Sequence, residues 1–352
     1  MKKISISSEA KLILLCSRLN IPDYNRSKIS GLLSRPVNWD KIIDISTRHE
    51  ALPLVYHNLS RLGFQNIIPE EVFLTMKKYY YANLSKNLFF EKEMLDIFAM
   101  ANQDNIGVIP FKGFSLIHTV YNNPGLRPMV DVDILVKEND LTNIKSILNK
   151  SGYEDNSEKA RCNEQQFEIV FTKKIASNHY TIIEVHHELS PARPHKLNLP
   201  YLWQRARKET VDGYEIQHLS PEDTLLSLAL HLRRHTRRLT LKFIIDIAEL
   251  LNKHNVVMDW HYIKKSAADN HIITTMHTSL SLAKELLEAE IPLETINQFR
   301  PNTLKAFLIH LNINKNNFFN QKKRSGAFLR LLLFDKAADF ILYARRVPLK
   351  LS

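Results

Sequence analysis

Arg127-Pro128-Met129-Val130-Asp131-Val132-Asp133-Ile134-Leu135-Val136 reads as a β-strand with two unlike faces. Val130, Val132, Ile134 and Val136 alternate with Asp131 and Asp133, and neighbouring residues of a strand point to opposite sides. One face is then an aliphatic wall. The other carries two carboxylates about 7 Å apart at Cα, twice the rise per residue. Aspartate is depleted from sheets and costly to desolvate without a partner, so packing alone does not account for the pair. Two carboxylates aimed at one point suit a hard divalent cation.

Downstream, Thr181-Ile182-Ile183-Glu184-Val185-His186-His187 puts Ile183 and Val185 on one face, Glu184 and His186 on the other. If this strand lies beside the first with polar faces aligned, Glu184 joins Asp131 and Asp133. Three acidic groups then hold one or two Mg²⁺ ions through oxygen ligands and leave places for phosphate oxygens. His186 is expected to support a ligand or touch phosphate, and His187 to be a core or partner-facing residue. Upstream, Phe111-Lys112-Gly113-Phe114-Ser115 lies where a strand end opens a helix, and free N–H groups with the helix dipole favour a phosphate there. Lys112 adds a point charge, and Arg127 stands where it can grip a second phosphoryl group bidentately. Each signal alone is common. Their order carries the inference: strand, Lys-Gly, helix, turn, Arg, Asp-x-Asp, helix, strand, Glu.

Lys112-Gly113, Tyr121, Arg127, Asp131-Val132-Asp133-Ile134-Leu135-Val136, Gly152-Tyr153 and Glu184-Val185-His186-His187 resemble the uncharacterised nucleotidyltransferase family of the polymerase-β-like superfamily. The match is most specific over 106–190 and looser over 200–265, where Leu228-Ala229-Leu230-His231 and a helical Asp246 are similar to the family's C-terminal part. The resemblance implies that Asp131 and Asp133 hold the metals, that Glu184 is the third carboxylate and that Gly113 begins the phosphate-binding turn. It departs from the superfamily in one place. Serine usually follows the glycine directly, whereas here Phe114 does, with Lys112 before it and Ser115 one residue later.

Working outward, 84–100 has apolar residues at a period near 3.6, and 8–20 and 39–62 show similar spacing, so the first 105 residues read as helical. Over 106–190 the pattern changes to strand 107–111, helix 114–121, the Asn122-Asn123-Pro124-Gly125 turn, the aspartate strand, helix 138–150 and strands at 166–172 and 179–187. Pro191, Pro194 and Pro200 mark a connector, and Ser220-Pro221-Glu222-Asp223 is a clean helix start. Helical segments follow near 222–235, 238–254, 259–268, 272–289, 301–313 and 326–346. The expected fold class is α+β: a small mixed sheet with its helices at 106–190, flanked by helical regions at 1–105 and 191–352.

Composition narrows the partners. The chain has 352 residues and a net charge of +11, which suits a polyanion, with a nucleoside triphosphate favoured over RNA, although the basic residues are scattered rather than in blocks. Two cysteines, Cys16 and Cys162, form no disulfide framework, so a reducing cytoplasm is expected. Met1-Lys2-Lys3 is followed by Glu9 and Lys11 before any apolar run, so neither signal peptide nor membrane span is expected. There is no internal repeat. His231 and His235, four apart on a helix, have zincin spacing but lack its glutamate and stand among Arg233, Arg234, Arg237 and Arg238. The better readings are a solvated helix face or a basic helix that meets substrate or the nucleotide's phosphates, with His231 in support of the site. Lys322-Lys323-Arg324 and Arg345-Arg346 read as surface charge.

The expected activity is Mg²⁺-dependent transfer of a nucleoside monophosphate from an NTP, with ATP one candidate, to a small-molecule or peptide acceptor. The rival readings are a non-catalytic nucleotide- or RNA-binding module that keeps the fold, and a helical scaffold with a vestigial sheet.

Overall fold

The computed structural model describes residues 6–156, 168–176, 179–189, 197–211, 213–319 and 325–346. Met1-Lys2-Lys3, Cys162, the first two residues of the 166–172 strand, Pro191, Pro194 and Lys322-Lys323-Arg324 lie outside them.

Residues Val108–Phe111 (β1), Val132–Val136 (β2), Glu154–Asp155 (β3), Glu168–Ala176 (β4) and His179–His186 (β5) form one mixed sheet in the order β1-β2-β5-β4-β3. β1 runs antiparallel to β2, β2 parallel to β5, and β4 antiparallel to β5 and β3. The aspartate strand starts two residues later than its alternation predicts. Val130 is 59% exposed, and Asp131 precedes the first ladder pair. The aliphatic wall is therefore Val132, Ile134 and Val136, all fully buried. They share a core with Phe90, Met94, Ile97 and Phe98 from one helix and Ile144, Ile147 and Leu148 from another. The opposite face buries Leu135 with Ile109, Phe111, Leu189, Leu202 and Leu219. Layers on both faces explain why an aspartate within β2 is taken out of water.

The helices before the sheet are Ser8–Cys16 (α1), Asp23–Leu33 (α2), Trp39–Arg48 (α3), Leu52–Arg61 (α4) and Glu70–Gln103 (α5). The predicted helix 39–62 divides at His49–Ala51, where Glu50 takes a left-handed φ of 55° and Pro53 opens the next helix. The window 84–100 lies inside α5, a 34-residue helix. Gly113–Leu116 (α6) continues into a five-residue π-turn, Ile117–Tyr121, in place of one regular helix. After Leu141–Lys150 (α7) and the sheet come Leu199–Arg205 (α8) and a hairpin, Arg207–Val211 (β6) with Tyr214–His218 (β7), where no strand was foreseen.

Pro221–Arg234 (α9), Leu241–His254 (α10), Trp260–Asp269 (α11) and Ile273–Leu287 (α12) follow, then Leu293–Asn297 (α13), Thr303–Asn312 (α14), Lys315–Phe318 (α15), Gly326–Leu332 (α16) and Ala337–Arg346 (α17). No helix among the described residues is long and apolar enough to cross a membrane.

The helical flanks are not separate layers. Leu12, Ile29, Ile42, Leu54 and Met76 share one apolar cluster with Leu225, Ile244, Met276, Leu286 and Leu329. The sheet is tied to that cluster by a buried ion pair. Arg127 donates from Nε to Asp246 Oδ1 at 2.8 Å and from Nη2 to Oδ2 at 2.7 Å, and Tyr121 donates its hydroxyl to Oδ1 at 2.8 Å. Burial and the Asp246 charge together push the Tyr121 phenol well above its ordinary range, which keeps it a donor. Asp246→Ala strands a buried guanidinium, and the expected loss is roughly 3–5 kcal/mol of unfolding free energy in urea titrations. A variant as stable as the parent would show that the pair does not hold these elements together.

Candidate metal and nucleotide site

The parallel pairing of β2 with β5 sets Asp133 directly opposite Glu184. Two residues on, His186 occupies the same face of β5 as Glu184. One ligand atom each from Asp133, Glu184 and His186 lies within 4.8 Å of the others, a spacing that fits a shared cation. Asp131, outside that group, lines the same cavity. Burial first, and then repulsion from Asp133 and Glu184, raises its carboxyl to about 6. A site that resists its own negative charge in this way is one a divalent cation would relieve. The oxygen donors suit a hard divalent cation, while His186 donates toward Asp133 and fixes that carboxylate's orientation.

Asp133 is the most heavily engaged of these groups. Lys112 Nζ lies 2.5 Å from Oδ1, and His186 Nε2 lies 2.9 Å from the same oxygen. Burial opposes ionisation of Asp133, but the Lys112 ammonium and His186 outweigh it and hold the carboxyl well below its usual range. His186 Nε2 is also 3.5 Å from Glu184 Oε2, and its Nδ1 is 3.9 Å from Glu168 on β4. Glu168 in turn takes a bidentate grip from Arg234, at 3.1 and 3.2 Å. A line of charge thus runs from Lys112 through Asp133, His186 and Glu168 to the end of α9.

Lys112 reaches Asp133 because the chain turns abruptly after β1. Its φ of 54° and ψ of −120° lie where a residue with a Cβ is strained by on the order of 1–3 kcal/mol. Gly113 follows at a point with no room for a side chain. A Cβ there would stand 2.7 Å from Arg127 Nη1 and 3.0 Å from Met129 Sδ. Phe114 turns into the core, 1% exposed, with its ring edge-on to Phe98. Ser115 turns away as well, and its hydroxyl pairs with His218 Nδ1 at 2.9 Å in a buried contact. Ser115 was expected to bind nucleotide; it does not line the cavity, because one more residue of helix rotates it about 100° from Phe114.

The cavity above the acidic cluster has a volume of about 560 Å³. Seven cationic side chains line it, namely Arg48, Lys112, Arg127, Arg234, Arg237, Arg238 and Lys242. Glu50, Asp131, Asp133 and Glu184 supply four carboxylates, so the wall favours a polyanion once the acids hold metal. Several of the cations are ion-paired: Arg127 with Asp246, Arg234 with Glu168 and Arg48 with Asp44, none of these carboxylates lining the cavity, and Lys242 with Glu50, which does. Arg127, predicted as a free phosphate grip, therefore uses Nε and Nη2 on Asp246 and leaves Nη1 toward the Gly113 side.

His231 and His235 form an aromatic wall with Phe243, their ring centroids 5.0 and 5.4 Å from it. Burial lowers both imidazoles, His231 far below its usual range and His235 to about 3. Neither belongs to the metal-competent group found among the described residues.

Asp131, Asp133, Glu184, Lys112, Gly113, Arg127 and His231 from the sequence reading line this one cavity, with His186 directly behind Asp133. Sequence reasoning missed Glu168, Arg48, Glu50 and Lys242. Arg48 and Glu50 come from the end of α3 and Lys242 from the start of α10. His49 joins those two ends, accepting the Leu241 N–H at its Nδ1 and the Lys242 N–H at its carbonyl. No local motif marks such residues, since only tertiary packing brings them to the site.

Residues 35–288 match the family described as uncharacterised nucleotidyltransferase. The chain belongs to this family, and nucleotidyl transfer, a reaction moving a phosphorus-containing group, is its general activity. No similar curated protein was found for the chain.

The Ser115 contact also has a pH signature. Burial lowers His218 from 6.5 to about 4, helped by the charge of His118. Between those values the unfolded chain binds a proton that the folded chain refuses, so stability falls as pH drops from 6.5 to about 4. His218→Gln should lose less stability across that window by roughly 2–3 kcal/mol in urea titrations. Identical pH slopes for variant and parent would contradict a neutral buried His218.

Proposed function

We propose that the chain, as a member of this family, uses Mg²⁺ to transfer a nucleoside monophosphate from an NTP to an acceptor hydroxyl, with pyrophosphate leaving. The observation that carries the proposal is the Asp133–Glu184 register across the parallel β2–β5 pair, at the floor of a cavity walled by cations.

Asp131, Asp133 and Glu184 would hold one or two ions. Mg²⁺, when bound, neutralises phosphate charge and makes an acceptor hydroxyl more acidic. Lys112, Arg237, Arg238 and Lys242 bind the triphosphate oxygens, and the Gly113 turn admits phosphate close to the backbone. Charge that builds on the transferring phosphoryl group is met by these cations, of which Lys112 and Lys242 are already held by Asp133 and Glu50. His186 keeps Asp133 oriented. The acceptor oxygen forms the new bond to the α-phosphorus as the bond to the bridging oxygen breaks, and Glu184 would ligate the acceptor-side metal or take the acceptor's proton. His235 and Phe243, stacked with 23° between their ring planes, and the edge of His231 offer an aromatic surface for the base. The acceptor is a small molecule or a peptide.

A non-catalytic nucleotide-binding module is the second reading. It draws on Phe114 in the core and Ser115 on His218, which leave the turn without a hydroxyl for the triphosphate. That reading predicts binding of Mg-NTP with no product.

The deciding experiment incubates the purified protein with each α-labelled NTP and a cell extract, followed by intact-mass analysis. A component heavier by one nucleoside monophosphate is expected, and chelator should abolish it. Asp133→Asn and Glu184→Gln should each slow labelling on the order of 10²-fold or more. Full labelling by both variants would sink the proposal, and tight Mg-NTP binding without label in any extract would favour the second reading.

A further inference from the structure

We infer that a second cavity, formed by α1, α2 and the ends of α12 and α15, binds a single-chain anionic amphiphile, with its alkyl chain inside and a carboxylate or phosphate-ester head at the rim. The cavity has a volume of about 420 Å³ and shares no lining residue with the acidic one. That volume lies in the range of small-molecule sites. Ile6, Leu14, Leu15, Leu32 and Leu286 supply its apolar surface. Lys11, Arg18, Lys28, Arg35 and Lys315 surround that surface, against one carboxylate, Glu288. Glu288 and the buried Arg18 satisfy each other, with Arg18 Nη2 at 2.9 Å and the Tyr24 hydroxyl at 3.0 Å from Glu288 Oε2, so the positive charge offered to a ligand comes from Lys11, Lys28, Arg35 and Lys315. An apolar interior ringed by cations selects a ligand of the opposite pattern. A neutral lipid would leave the rim without a counter-charge, and a compact anion would leave the interior unfilled. Ile6 to Leu32, most of the wall, lie before the family match begins at residue 35.

Gly31 points the same way. It is one of eight glycines in the chain and sits inside α2, where glycine costs about 1 kcal/mol relative to alanine. Neither of the usual reasons for such a glycine applies. Its φ is not left-handed, and a Cβ built on it meets nothing within 4 Å. Gly31 lines the cavity at its exposed side, where a side chain would have open space at the cavity's edge.

The same feature supplies a blocking variant that should not unfold the protein. Gly31→Leu fills the space with a better helix former and meets no neighbour at Cβ. Isothermal titration of the full chain uses dodecyl phosphate and dodecanoate, each below its critical micelle concentration, with dodecyl maltoside as the neutral control. Saturable one-to-one binding of at least one anion is expected, and the tighter of the two identifies the head group. Gly31→Leu should bind at least tenfold more weakly with an equal or higher Tm. Arg35→Glu, an exposed change just beyond α2, should also weaken binding at least tenfold, whereas Asp133→Asn should bind like the parent. No saturable binding of either anion, undiminished binding by Gly31→Leu and by Arg35→Glu, equal affinity for the neutral control, or binding only to anionic vesicles would each overturn the inference.

Discussion

Two carboxylates facing each other across a parallel ladder are the constraint around which this protein is organised. Asp133 and Glu184 are neighbours because β2 and β5 pair in one register, and a slip of a single residue would turn the β5 carboxylate to the opposite face. Their proximity is unfavourable without compensation in a buried sheet. Lys112 supplies a charge at the end of β1, and His186 supplies a hydrogen bond from within β5. The strained backbone at Lys112 makes physical sense in this setting, because a relaxed turn would carry its ammonium elsewhere.

The rest of the molecule holds that arrangement in place and encloses it. The Arg127–Asp246 pair joins the segment before β2 to α10, and α10 belongs to the same apolar cluster as the N-terminal helices. The roof of the site is therefore assembled from α3, α9 and α10, elements nearly 200 residues apart in sequence at their extremes. Arg48, Arg127 and Arg234 are held by carboxylates outside the cavity, and Lys112 and Lys242 by carboxylates within it. Such pairs add little to stability on balance, since desolvation offsets attraction, but they fix where positive charge is presented.

Both cavities show a division of labour between apolar and charged residues, with different outcomes. In the acidic cavity, charge of both signs meets at the floor and walls, which suits a metal-bound polyanion. In the second cavity the surface is aliphatic and the charged residues are cationic apart from Glu288, which suits an anionic amphiphile. The acidic site has its floor on the sheet and the second cavity lies mostly among the N-terminal helices, and the two share no lining residue.

Legibility from sequence followed the range of each interaction. The sheet and the acidic residues were readable, because alternation over a few residues reports which face of a strand is buried. The start of β2 was misplaced by two residues, since Val130 continues the pattern although it has no ladder partner. The β6–β7 hairpin was missed because Arg207-Lys208-Glu209-Thr210-Val211 lacks alternation and is mostly exposed. By itself, the sequence marked β1, β2, β4 and β5 and the chemical kind of the residues on them, because those rest on neighbours along the chain, whereas the two-residue β3 and the β6–β7 hairpin carry no such pattern. Tertiary structure alone decided that Arg127 is clamped by Asp246, that Ser115 turns to His218, and that Glu168, Glu50 and Lys242 complete the charged shell. Those outcomes depend on desolvation and on distances between side chains remote in sequence, which no local pattern records.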